Sequence, residues 1–276
     1  MDLLTDFTES KEGLTMVRTM ALTSNGWLNT YFIIDTGTST SLFSPEVGKI
    51  KMPYDDITEF SGITLTAKRC TAVLSFADQI IKFEGNIIDY DTLPKIGGKH
   101  LSGILGTDFL VRNRLVLDFY NGGIYIKEPW ETNTNSCSYI SMKLGLNDYY
   151  IPTIMLNSYN CQFSFVVDTG ATNNMIAPTI SYRGKKIKGS RPYVVNELAG
   201  SHLANECEMK FYIQMSYNGM LFKREFIDVF TFAQYEYNAG QSVIFKTLHG
   251  LIGNGFIHQQ KWIIDFTSMR IYEKIE

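Results

Sequence analysis

The sequence predicts an all-β protein of two tandem lobes, each a small barrel with one short helix. Three observations carry that expectation. The stretch Phe32 to Ser41, F-I-I-D-T-G-T-S-T-S, returns as Phe165 to Asn174, F-V-V-D-T-G-A-T-N-N, so Asp-Thr-Gly recurs 133 positions on. Gly106 and Gly253, Asp118 and Asp265, and Ile124 and Ile271 are each separated by 147 positions. A constant offset over three features argues for one repeated supersecondary unit, with about fourteen extra residues between the two blocks in the second half. Between these marks lie short apolar runs, broken by glycine and asparagine turns and rich in Phe and Tyr.

Taken in order, Leu14 to Leu28 alternates loosely around Ser24-Asn25-Gly26. It predicts a hairpin whose second strand runs into Phe32-Ile33-Ile34. Leu42 to Ile50 predicts a strand or a turn of helix broken at Pro45, and the polar stretch Lys51 to Phe60 a loop. Ser61-Gly62 marks a hairpin tip, and Cys70 to Phe76 and Ile80 to Ile88 are strands. After a Gly/Pro-rich connection, Leu93 to Leu101, the run Gly103-Ile104-Leu105-Gly106 reads as a buried strand. Thr107 to Asn113 is the short helix, with Thr107 or Asp108 near its start. Arg114 to Phe119 and Ile124 to Ile126 form a hairpin around Asn121-Gly122-Gly123. The polar stretch Glu131 to Ser136 is the linker, which divides the chain into lobes 1–130 and 139–276 joined by 131–138.

The second half follows the same plan. Tyr150 to Leu156 and Gln162 to Val167 lead to the second Asp-Thr-Gly, and Arg183 to Arg191 is a basic, solvated loop. Ala199-Gly200 is placed like Ser61-Gly62. Cys207 to Met215 and Met220 to Phe232 supply strands, and Gly250 to Gly253, Trp262 to Phe266 and Ile271-Tyr272 match the closing block of the first half.

Composition narrows the function. With 276 residues, 45% apolar and only 19% charged, the chain can bury a sizeable core. A net charge of −3 argues against nucleic acid as the main partner, since phosphate binding needs a basic surface. No segment approaches the length of a membrane-spanning helix, and Met1 to Gly13 lacks the pattern of a secretory signal. The four cysteines, at 70, 137, 161 and 207, include no C-x-x-C pair. They point to free thiols and a cytoplasmic setting, or to a secreted one if a leader has been removed. The four histidines are scattered, with no H-E-x-x-H, so no metal site is expected. Cys70 and Cys207 read as packing residues, and Asp118 and Asp265 as structural hydrogen-bonding groups.

The chemistry lies in the repeated motif. One Asp-Thr-Gly arises by chance in about one chain in twenty of this length and is then an ordinary turn after a strand. Two copies are far rarer when each follows Phe and two β-branched residues and precedes the same downstream block. A carboxylate ending a buried strand is costly, and two in equivalent positions belong together. Gly37 and Gly170 let the backbone turn tightly and bring an amide close to the carboxylate.

The sequence resembles the aspartic peptidases, and within them the retropepsin-like branch. The resemblance rests on Phe32 to Thr40 with Ile104-Leu105-Gly106 and Leu117-Asp118-Phe119. It rests equally on Phe165 to Thr172 with Leu251-Ile252-Gly253 and Ile264-Asp265-Phe266. It covers nearly the whole chain as two fused lobes, which implies two retropepsin-like acid-protease barrels about a pseudo-twofold axis. It further implies an aspartic endopeptidase with Asp35 and Asp168 as catalytic dyad, without cofactor or metal, acting as a monomer on a peptide or protein substrate. A non-catalytic peptide-binding module on the same fold is the alternative. Thr36 and Thr169 would interlock across the axis, and Gly106 and Gly253 would pack the second limb of each loop. Flaps near Ser61-Gly62 and Ala199-Gly200 would close over the peptide. Thr38 follows the first Gly and Ala171 the second, so only Asp35 gains a hydroxyl donor. This predicts a higher pKa at Asp168 than at Asp35 and a less acidic optimum than with hydroxyls on both sides.

Overall fold

A computed structural model describes residues 2–10, 13–58, 64–77, 79–87, 99–126, 139–147, 150–158, 160–177, 180–181, 184–187, 193–197, 200–233 and 249–275. The described chain is nearly all β, with two six-residue helices, Thr107–Arg112 and Asn254–Gln259.

Both halves are wired alike around the strand that carries Asp-Thr-Gly. In the first, Thr15–Thr23 and Gly26–Ile34 form the expected hairpin, closed at Thr23↔Gly26. Gly26–Ile34 then pairs in parallel with Leu101–Leu105, which pairs antiparallel with Leu42–Phe43. In the second, Pro152–Ser158 and Cys161–Asp168 form the hairpin. Cys161–Asp168 lies parallel to Gly250–Gly253, which is antiparallel to Asn174–Ile176. The two Asp-Thr-Gly turns therefore leave the ends of centrally placed strands, held on one side by the Gly-ended strand of the same half.

A shared sheet joins the halves. Leu115–Asp118 pairs antiparallel with Ile263–Asp265 through Asp118↔Ile263 and Leu117↔Ile264. Outward from that seam, Leu115–Asp118 pairs with Gly123–Ile126, which pairs with Asp2–Glu9. Ile263–Asp265 pairs with Arg270–Lys274, which pairs with Tyr139–Lys143. The first strand of each half thus lies beside its last. The N-terminal strand Asp2–Glu9 was not anticipated.

Aromatic packing repeats as well. Phe32 meets Phe43 edge-on at 6.0 Å, and Phe165 meets Phe230 edge-on at 6.0 Å. Phe83 and Phe109 extend the first group, and Phe256 and Trp262 the second. All lie in one continuous core. Each buried aromatic contributes about 2 kcal/mol from apolar area alone, so these rings anchor the strands that end in the two aspartates.

Two expectations are corrected. The part of Lys51 to Phe60 that the structure describes is not a loop: Lys49–Thr58 is a strand paired with Thr64–Phe76. Its register slips between Ile50 and Tyr54, where Pro53 sits; a bulge is where a strand tolerates a residue with no amide hydrogen. Within the basic stretch Arg183 to Arg191, Lys185–Lys186 pairs with the long strand Gly200–Tyr217, so this part is not loop. Gly200 pairs with Glu197 to close the hairpin of Tyr193–Glu197 and Gly200–Tyr217, beside the tip expected at Ala199-Gly200. The linker 131–138, Ser61, Gly62 and Ala199 lie outside the described residues.

Candidate active site

The two Asp-Thr-Gly turns meet back to back. The Thr36 amide donates to the Thr169 hydroxyl, and the Thr169 amide to the Thr36 hydroxyl, both at 3.0 Å. Each hydroxyl then donates onward across the seam, Thr36 to the Val167 carbonyl at 2.6 Å and Thr169 to the Ile34 carbonyl at 2.7 Å. Both threonines are fully buried, so every polar group in this clamp is satisfied within the protein. The sequence anticipated the interlock; the structure adds that the carbonyls reached are those two residues before each aspartate's threonine.

The clamp brings Asp35 and Asp168 together, each carboxyl lying against the glycine of the opposite half and Asp168 feeling the Asp35 charge. Asp35 Oδ1 accepts from the Gly37 amide and Oδ2 from the Thr38 hydroxyl, both at 2.8 Å. Asp168 Oδ1 accepts from the Gly170 amide at 2.8 Å and the Ala171 amide at 3.1 Å, with no hydroxyl from position 171. The glycines have a purpose the sequence only half revealed. A Cβ on Gly37 would lie 2.5 Å from the Asp168 carboxyl carbon, and one on Gly170 would lie 2.4 Å from that of Asp35. Each glycine makes room for the carboxyl of the opposite half.

Burial raises the pKa of both aspartates. At Asp35 the Thr38 hydroxyl and the Gly37 amide pull it back down. At Asp168 burial is reinforced by the neighbouring Asp35 charge, and the group is held well above the ordinary carboxylate range. Of the two, Asp168 is the more strongly raised, by burial and by the neighbouring Asp35 charge. This is the direction expected from Thr38 against Ala171.

A second ring of residues, not singled out from the sequence, fixes the loops. The buried Ser41 hydroxyl accepts from the Gly106 amide at 3.0 Å and donates to Asp108 at 2.6 Å. In the other half Asn174 does this work: its Oδ1 accepts from the Gly253 amide at 2.9 Å, and its Nδ2 donates to Asp228 at 3.0 Å. Gly106 and Gly253 thus pack the second limb of each loop, as expected. Burial raises the carboxyls of both Asp108 and Asp228, and the hydrogen bonds from Ser41 and Asn174 oppose it. Thr107 donates to the Thr36 carbonyl at 2.9 Å. Its counterpart Asn254 instead holds the N-terminal segment, donating to the Gly13 carbonyl at 2.6 Å and accepting from Thr15 at 3.0 Å. The signal was available in the offsets, since 133 carries Ser41 to Asn174 and 147 carries Thr107 to Asn254.

The other titratable groups fall into structural places. Asp118 caps the turn after its strand, accepting from the Tyr120 and Asn121 amides, and Asp265 does the same for Thr267 and Ser268. Cys70 and Cys207 are buried free thiols pushed up to about 11 by burial, which makes them packing groups and not nucleophiles. His258 bonds Glu9 and Thr15, and His100 bonds Glu46. Among the described residues no cluster of His, Cys, Asp and Glu is arranged to hold a metal ion, and no helix is long and apolar enough to cross a membrane. Of the flap residues only Gly200 is described, at the start of its strand.

No family model matches the sequence, and no curated protein matches it. By structure the chain is similar to an aspartic proteinase from Irpex lacteus, with a TM-score of 0.55 over 98% of this chain and 96% of that one, at 10% identity. At that identity the likeness is one of fold: the chain has an aspartic-protease fold.

Proposed function

We propose that the chain is an aspartic endopeptidase, with Asp35 and Asp168 as its catalytic pair. The observation that supports this most is the pairing of two carboxyls, Asp168 buried and Asp35 partly buried, by the reciprocal Thr36–Thr169 clamp, with unequal pKa shifts. A fold needs no such arrangement for stability, because burying two carboxyls against each other is costly. In the proposed reaction a water sits between them. Asp35 removes a proton from it, and the oxygen attacks the scissile carbonyl carbon. Asp168 gives its proton to the carbonyl oxygen, producing a neutral tetrahedral diol. The proton on Asp35 then passes to the amide nitrogen as the C–N bond breaks, and Asp168 regains its own from the diol. Amine and acid leave, and the pair is restored with one proton.

The reading extends to organisation. The lobes are residues 1–130 and 139–276, joined by 131–138, and they represent a retropepsin-like unit duplicated within one chain that works as a monomer. Substrate would lie extended in the cleft between them, making main-chain hydrogen bonds. The test is cleavage of a peptide library across pH by the wild type, Asp35→Asn and Asp168→Asn. Cleavage by the wild type alone is the expected result. Activity that survives either substitution removes the pair from the mechanism, and peptide binding without cleavage at any pH replaces the enzyme by a binding module.

A further inference from the structure

The long hairpin of the second half ends in an apolar tip that nothing within the described chain covers. Gly200–Tyr217 and Met220–Ala233 pair from Ala204↔Ala233 to Tyr217↔Met220, turning at Asn218-Gly219. The neighbouring strand Tyr139–Lys143 forms a ladder pair with this hairpin at Ser141↔Ser216, and the turn at Asn218-Gly219 lies beyond it. The residues after the turn are Met-Leu-Phe: Met220 and Leu221 are each 67% exposed and Phe222 38%. At a hairpin tip such residues are the costliest to leave in water, and a polar sequence would make the same turn. Leu221 also borders an open groove of about 500 Å³, together with Met155, itself 44% exposed.

The charge around this tip is one-sided. Lys143 and Arg270 line the same groove, and Lys223 follows the apolar triplet. Among the described carboxylates on the adjoining strands, Glu225 pairs with Lys210 at 2.7 Å and Glu273 pairs with Arg224. A chain of net charge −3 thus presents three cations around an exposed apolar turn. Apolar side chains able to enter an acyl boundary, ringed by lysine and arginine at headgroup depth, are complementary to an anionic bilayer surface.

We infer that the Tyr217–Lys223 tip and its Lys143–Arg270 rim dock the protein peripherally on anionic lipid. The expectation that no membrane is involved rested on the lack of a spanning segment, which does not bear on a local patch. The experiment is co-sedimentation of the full chain with vesicles of phosphatidylcholine alone and of phosphatidylcholine mixed with phosphatidylserine. Binding to the anionic vesicles only, weakened by salt, is expected. Met220→Ser/Leu221→Ser/Phe222→Ser should abolish it. Lys143→Glu/Arg270→Glu, which leaves the tip intact, should weaken it by more than about tenfold, since each basic residue near such a surface contributes about fivefold. If the serine variant fails a thermal-melt check, the charge variant decides alone. No binding, equal binding to both vesicles, or retention by the charge variant overturns the inference. So does light scattering that shows the apolar tip buried between two copies of the chain in solution.

Discussion

Thr36 and Thr169 each donate a backbone amide to the other's hydroxyl at 3.0 Å, and neither side chain touches solvent. The two turns are one hydrogen-bonded unit drawn from both halves of the chain. Replacing Thr36 with Val keeps the shape and removes the hydroxyl. The Thr169 amide and the Val167 carbonyl would then be buried without partners, at about 1–3 kcal/mol for each. Thr169→Val should orphan the Thr36 amide and the Ile34 carbonyl and cost about the same. Each substitution removes its own pair of bonds, but the two residues meet in one clamp, so in denaturant titrations the double variant should depart from the sum of the singles. Strict additivity would mean that the two halves are not joined here.

Gly170 faces Asp35, and Gly37 faces Asp168, each too closely for a methyl group. Gly170→Ala should therefore separate the carboxyls and abolish cleavage, while the rest of the fold still melts cooperatively. The clash is with a carboxyl group at the edge of the seam and not with the core. A variant that keeps full activity would show that the two carboxyls need not lie together.

How much of this could be read in advance depends on where the information is stored. The Asp-Thr-Gly strands, the hairpin at Ser24-Asn25 and the block ending at Asp118 and Asp265 were legible because alternation and turn residues are local. The 147-residue spacing then tied the two halves together. Lys49–Thr58 was not legible, since its strand is defined by main-chain pairing to Thr64–Phe76, while its composition is that of a loop. The Ser41 and Asn174 supports were hidden for another reason. A serine hydroxyl and an asparagine amide look unlike, yet each receives a glycine amide and gives to a carboxylate. Asp228 lies 54 positions from Asn174 on a different strand, a contact only the fold creates.

Stability should favour mildly acidic solution. Burial raises Asp35, Asp108, Asp168, Asp228 and Glu273 above their ordinary values, so the folded chain holds these protons more tightly than the unfolded chain. For a raised carboxyl, the stabilisation is present in acid and is lost as pH rises from about 4 through the folded-state value. Glu225, lowered by Lys210, has the opposite sign but sits on the exposed surface, where the effect is screened. The melting temperature should fall between about pH 4 and 7, and Asp168→Asn should flatten that slope by removing the most strongly raised group. A melting temperature that rises across this window in the wild type would contradict the burial of the pair.

Position 171 should set the pH range of activity. Thr38 donates its hydroxyl to Asp35 at 2.8 Å, and Ala171 offers Asp168 only its amide, at 3.1 Å. Ala171→Thr would give Asp168 the same kind of donor from the equivalent place. A hydroxyl donor favours the ionised carboxylate, so Asp168 would release its proton at lower pH. Catalysis needs one proton on the pair, and the alkaline limb of the profile marks its loss. That limb of kcat/KM should move towards acid in Ala171→Thr, by about one pH unit for a charge-assisted hydrogen bond of ordinary strength. Thr38→Ala removes the donor from Asp35 and should move the acid limb upward, because Asp35 then takes up its second proton sooner. The two shifts have opposite signs and affect different limbs. If both substitutions move the same limb, the proton does not reside on Asp168, and the two aspartates exchange the roles assigned to them.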